Sequence, residues 1–355
     1  MYGSIPSSSM HLHKIATKLH LCYAFFMIRL PYLLTEDGIC RLEGDRLFIT
    51  DRRVYPFERV EVACSSAEEV AAALTAMVTQ GGGPLEVALK ALVLQARRKQ
   101  GFERLQESAK LLINSRPTNT TMARAVDEVL MSVKESTALA DDVEHSVRRI
   151  LDRYEAIYHT IGKLGSTLID DGDQILTTCF AEHTFILSLL YAQEAKKEVR
   201  VLVSETRPYL QGSRLTAPAL AEVGIPVKII TDNMGPTMIA SNLVQKYFTA
   251  ADLVCLDGTV VNKIGTLSNA LAAKHYGIPY YALAISPDST KKTKEDITIE
   301  LRDPCEVTQC LGKKTTLDGI DGLYPAFDIV DPDLVTAIVT AKGILHPRDI
   351  KEQYI

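Results

Sequence analysis

Apolar residues recur at three- and four-residue spacing over 67–79 (AEEVAAALTAMVT), 85–99 (LEVALKALVLQARRK), 122–136 and 141–169, which predicts helices. Ser65 with Glu68 predicts a capping box for the first, and Gly81-Gly82-Gly83-Pro84 separates it from the second. Before them RLFITD (46–51) and ERVEV (58–62) are short and β-like. After Gly172 the pattern changes. QILTTC (174–179), VRVLVSE (199–205), PVKIIT (226–231), DLVCLD (252–257) and PYYALA (279–284) are predicted strands. The first three gaps carry helical text at 185–197, 217–224 and 235–249.

Strands alternating with helices predict a parallel sheet with right-handed crossovers. The expected fold class is therefore α/β. Residues 28–140 form a small β plus helical-bundle domain, 141–170 a long linker helix, and 171–347 a Rossmann-like domain. No G-x-G-x-x-G follows the first strand, so a dinucleotide fingerprint is absent. Residues 1–27 are expected to be an extension outside the fold, with a more regular text opening at Met27.

Composition changes this picture little. The 355-residue chain has 46% hydrophobic and 23% charged residues, ordinary for a globular protein. A net charge of −5 gives nucleic-acid binding no support. No apolar run approaches the roughly 18 residues of a membrane span. The seven cysteines are scattered without a C-x-x-C pair, which predicts neither a zinc site nor a disulfide framework and fits reduced thiols in the cytoplasm.

The candidate chemistry lies just past predicted strands, where an α/β fold lines its ligand crevice. SETRPYLQGSRLT (204–216) offers Arg207, Gln211 and Arg214, and NKIGT (262–266) offers Asn262 and Lys263. Together they suit a small anionic ligand such as a sugar phosphate. Arg207 could equally pair with Glu205 to brace its loop, and Asp232-Asn233 could hold sugar hydroxyls. Cys179, read as the start of a helix, would have its thiolate favoured there.

SRPT (115–118), the strand ending in Cys179, ETRPYLQGSRLTA (205–217), TDNM (231–234), NKIGT, ITIELRDPCEV (297–307) and YPAFDIVDPDLVTAIVTAKGILHP (324–347) form a specific set. It resembles the superfamily of methylthioribose-1-phosphate isomerase and the alpha, beta and delta subunits of initiation factor 2B, over about residues 40–347. The ETRP, RDP-x-EV and PAFD pieces are most similar to the isomerase branch. The resemblance implies conversion of an aldose 1-phosphate to a ketose 1-phosphate, most simply of S-methyl-5-thioribose 1-phosphate, in a cytoplasmic homodimer. It implies no metal and no organic cofactor, and no nucleic-acid or membrane partner. Cys179 and Asp257 are the implied catalytic pair, with Arg116, Gln211, Asn262, Lys263, Gly82 and Gly83 at the substrate. A second alignment makes Asp257-Gly258 the remnant of a later loop and deletes the catalytic aspartate. Two other activities fit the same motifs. One is isomerisation of 5-deoxyribose 1-phosphate, and the other is non-catalytic sensing of a sugar phosphate or nucleotide. The chain departs from the family pattern where Gly81-Gly82-Gly83-Pro84 replaces R-G-A-P and where Glu182 replaces the glycine of H-C-N-x-G. Both changes disfavour a second phosphate on the substrate.

Overall fold

The computed structural model describes residues 28–117, 119–299 and 301–355, so the expected extension over 1–27 lies outside the described residues. Residues 31–355 form one compact unit. An antiparallel sheet of β1 (Cys40–Glu43), β2 (Arg46–Thr50) and β3 (Glu61–Cys64) opens it. Helices α1 (Ala67–Thr75), α2 (Gly83–Arg97), α3 (Gly101–Ser115) and α4 (Thr120–Val133) follow. β1 and α3 add to the expected elements. The cap of α1 falls one residue later than its sequence suggests: Ser66 Oγ accepts from the Glu69 N–H, and the Glu69 carboxylate accepts from the Ser65 N–H.

The long helix α5 spans Leu139–Thr167. Its glycines at 162 and 165 let it press against a later helix, since a Cβ at either would collide with Leu187 or Ser188.

Beyond α5 come β4 (Gln174–Thr177), α6 (Glu182–Glu194), β5 (Arg200–Ser204), α7 (Ala217–Glu222), β6 (Val227–Ile230), α8 (Gly235–Ala240) and β7 (Lys246–Ala250). They are followed by β8 (Leu253–Val254), β9 (Val260–Lys263), α9 (Thr266–Tyr276) and β10 (Tyr280–Leu283). A hairpin of β11 (Gln309–Cys310) and β12 (Lys313–Lys314) precedes β13 (Phe327–Val330), β14 (Ala337–Thr340) and β15 (Gly343–Leu345).

The main sheet has the order β15-β14-β10-β7-β4-β5-β6, parallel throughout except for β15. From β4 the chain winds outward through β5 and β6, then returns to lay β7 on the other side of β4. That reversal is a topological switch point, where open α/β sheets form their ligand crevice.

The structure corrects one strand. The expected strand DLVCLD is not in the main sheet. Its place is taken by β7, whose text had been read as helix, while Leu253–Val254 joins a separate antiparallel sheet of order β13-β9-β8. β7 begins with a buried lysine, and Lys246 is neutralised there by Asp170 and Asp173 at 2.6 Å each.

Candidate active site

A cavity of about 510 Å³ opens at the carboxyl ends of β4 and β7. Residues of the turn before α2, of α5, of the segments after β4 and β7, and of β9 line it.

Cys179 lines the cavity two residues after β4 and three before α6. Its φ of +69° is unusual for a residue with a side chain. Neighbouring threonines hold it in that shape: its N–H donates to Thr206 Oγ1 at 2.9 Å, and its carbonyl accepts from Thr216 Oγ1 at 2.6 Å. Thr206 is itself fixed, donating to the Ser204 carbonyl at 2.9 Å. Desolvation works against the expected thiolate. Cys179 stands ahead of the helix, and burial pushes its thiol up to about 12 against the opposing pull of the Lys263 charge.

Asp257, the expected partner of Cys179, is a correction. It sits outside the cavity lining, at a turn after β8. Its carboxylate accepts from the Thr259 N–H at 2.9 Å and its own N–H donates to the Lys292 carbonyl. Two aspartates do line the cavity, Asp252, two residues after β7, and Asp296. Because β7 lies beside β4, Asp252 and Cys179 project from the ends of adjacent parallel strands. Asp252 is exposed and lines the cavity. Desolvation by the surrounding protein raises its carboxyl pKa, while Lys263, Arg116 and Arg302 act to lower it. The signal in the sequence was an aspartate ten residues before Asn262, hidden by misplacing the strand.

Lys263 is buried and lines the cavity at the end of β9. Its ammonium lies 4.5 Å from the Phe327 ring centroid and 5.9 Å from that of Tyr209. Burial lowers its pKa. Asp328 positions this corner, its Oδ2 accepting at 2.8 Å from both the Gly265 and Leu267 N–H groups at the start of α9. Asn262 lines the cavity and donates to Thr266 Oγ1 at 3.0 Å. Arg116 also lines it, as does Arg302, which the motif reading did not single out. Gln211 is buried with its carbonyl oxygen unpartnered among the described residues, and it faces the same space.

The other expected contacts divide. Gly82 lines the cavity and Gly83 does not. Gly83 opens α2, where a side chain would collide with Thr79. Arg207 turns away to donate to the carbonyls of Val307 and Gln309, and Arg214 to those of Arg52, Arg53 and Tyr55. Asp232 is spent on the N–H groups of Thr206 and Arg207, both at 2.7 Å, and Asn233 accepts from Thr231 Oγ1. These four brace loops; none lines the cavity.

Glu182 reaches the turn before α2. Its Oε1 accepts from Arg52 Nη1 at 2.8 Å and its Oε2 from the Gly82 N–H. Arg52 is fully buried, donates also to the carbonyls of Gln80 and Leu33, and lies over the Phe180 ring. Beside them His183 stacks on Tyr158 with ring centroids 4.6 Å apart, and burial lowers its pKa.

A model of the initiation factor 2 subunit family matches residues 80–347. The chain belongs to that family. It is 36% identical over 323 residues to a methylthioribose-1-phosphate isomerase of Thermosipho africanus, covering 86% of this chain and 93% of that one. It is 37% identical over 320 residues to the methylthioribose-1-phosphate isomerase of Thermotoga petrophila, with the same coverage. Two solved family structures share its fold. The 5-methylthioribose 1-phosphate isomerase from Pyrococcus horikoshii OT3 has a TM-score of 0.77 at 26% identity, covering 88% of this chain and 93% of that chain. The translation initiation factor eIF-2B subunit delta from A. fulgidus has 0.76 at 28%, covering 88% and 96%.

Proposed function

We propose that this protein is an aldose-1-phosphate to ketose-1-phosphate isomerase that converts S-methyl-5-thioribose 1-phosphate to S-methyl-5-thioribulose 1-phosphate. The observation that carries the proposal is the pair Cys179 and Asp252 facing one cavity with Lys263, Arg116 and Arg302. Isomerases at 36–37% identity over most of the chain support the same substrate.

The chemistry needs two proton carriers, because phosphate blocks the anomeric oxygen. Asp252, whose carboxyl pKa desolvation raises, gives its proton to the ring oxygen as the bond to C1 breaks. Cys179, once its thiol has given its own proton to solvent, takes the proton from C2 as the thiolate, leaving an enol between C1 and C2, and returns it to C1. Asp252 recovers a proton from the C2 hydroxyl, which becomes the ketone. Lys263 is the cation beside the thiol that makes its ionisation less costly. Arg116 and Arg302 suit the phosphate, since guanidinium groups bind it through paired hydrogen bonds. Gln211 and Asn262 are left for sugar hydroxyls.

Purified protein should convert methylthioribose 1-phosphate. Deuterium at C2 should appear at C1 with partial loss to solvent, as expected when a side chain carries the proton. Absence of any turnover would remove the isomerase assignment.

The substrate cavity in this proposal lies at the seam between a domain of residues 28–140 and a domain of residues 171–347, joined by 141–170. We also propose a cytoplasmic homodimer. Unpaired cysteines fit a reducing compartment. The strongly exposed Leu301, Leu311, Leu317 and Leu323 fit a surface covered by a second copy. Light scattering should give twice the chain mass; a monomer at micromolar concentration would rule the dimer out.

A further inference from the structure

The end of the cavity formed by the α2 turn carries an anion of its own. The Gly82 N–H, at the start of the fifteen-residue helix α2, is the kind of donor that receives phosphate in other proteins. Here the Glu182 carboxylate holds it, and the same carboxylate pairs with the buried Arg52. This arrangement is built rather than incidental. Glu182 has φ +42°, a conformation that favours glycine, and keeps it at the first residue of α6. Gly81 and Gly82 in turn leave room for it, because a Cβ on either would collide with the Glu182 side chain. Glutamate and glycines fit only together.

The same lining carries Arg116, Lys263, Lys291 and Arg302 together with Asp252, Asp296 and Cys179. His183, next to Glu182 in the chain, stacks on Tyr158 and has its pKa lowered by burial. Arg52 stands behind the carboxylate and is no part of the lining.

We infer that Glu182 is a specificity-determining residue: it fills the anion seat of the α2 turn, denies that seat to a second phosphoryl group, and so favours a sugar with an uncharged 5-substituent. A phosphoryl group brought to this turn would meet a carboxylate where a free N–H would otherwise receive it. Like charges brought together oppose binding, so exclusion should be strong. The inference rests on the isomerase reading for the identity of the sugar, but not for the discrimination itself.

The test compares affinity for methylthioribose 1-phosphate and ribose 1,5-bisphosphate by calorimetry, alongside turnover, in the wild type, Glu182→Gly, Glu182→Gln and Glu182→Asp. Glycine suits the backbone at 182, so Glu182→Gly should fold even if Glu182→Gln does not. The ratio of two affinities within one protein is also independent of the folded fraction. The wild type should favour the methylthio sugar by about tenfold or more. Glu182→Gly and Glu182→Gln, which free the Gly82 N–H and the Arg52 charge, should shift that ratio toward the bisphosphate by about tenfold or more. Glu182→Asp keeps the charge and should stay near the wild-type ratio. Equal wild-type affinities, or an unchanged ratio in Glu182→Gly and Glu182→Gln, would overturn the inference. Binding without turnover would remove the isomerase reading and leave the ratio to decide the role of Glu182. Failure of both sugars to bind any of the proteins would overturn both.

Discussion

Cys179→Ala and Asp252→Asn should each lower turnover of methylthioribose 1-phosphate by about a hundredfold or more, the usual contribution of a positioned acid or base. Asp257→Asn should leave turnover within about twofold of wild type, since its carboxylate serves a local turn. The contrast matters more than either loss. Asp252 and Asp257 are five residues apart, both acidic and both close to apolar text, and only one faces the cavity. Asparagine at 252 keeps the shape and hydrogen-bonding reach of the side chain and removes its proton, so KM should change much less than kcat. Steady-state kinetics on the three variants decides the matter. Wild-type activity in Asp252→Asn, or a large loss in Asp257→Asn, would return the catalytic role to Asp257.

Arg52→Met should cost about 3–5 kcal/mol of folding stability, because it strands the Glu182 carboxylate in the interior without its partner. The side chain lost is fully buried and joins β2 to the turn before α2, to the segment before β1 and to the start of α6. Adding Glu182→Gln to Arg52→Met should recover part of the loss, since removing both charges is less costly than removing one. Urea titrations would show the midpoint falling with the slope preserved. A single variant as stable as the wild type would mean that Glu182 finds solvent or another donor when Arg52 is gone.

Much of this architecture can be read along the chain. The α/β alternation marks β4, β5 and β10 because their buried residues are near-continuous apolar runs, as strands covered on both faces are, and β6 by its apolar text at the sheet edge. The cavity positions of Cys179, Arg116, Gln211, Asn262, Lys263 and Gly82 followed from motif and strand-end logic. What escaped depended on contacts between distant residues. β7 starts with Lys246, and a lysine tells against a central strand until Asp170 and Asp173 are known to meet it. Leu253–Leu256 looks like the strand instead because it is apolar, although its backbone serves another sheet. That exchange alone moved the aspartate from 252 to 257. The two arginines of 204–216 show the same limit. Guanidinium groups past a strand can face a ligand or tie loops together, and only the position of the carbonyls around them tells which. The anion seat had no local signature at all, since its parts come from residues 52, 82 and 182.

The neighbouring placement of β4 and β7 has a further meaning for how the protein acquires its activity. Thr178 and Tyr247, which share a hydrogen bond at 2.8 Å, are 69 residues apart, and two whole strand–helix units are threaded between them. On a ribosome the thiol would therefore exist long before its acidic partner, waiting while β5 and β6 were laid down on the other flank. The two side chains meet only when the returning chain lays β7 beside β4, and a nascent polypeptide that stops short of residue 252 has the thiol without the carboxylate.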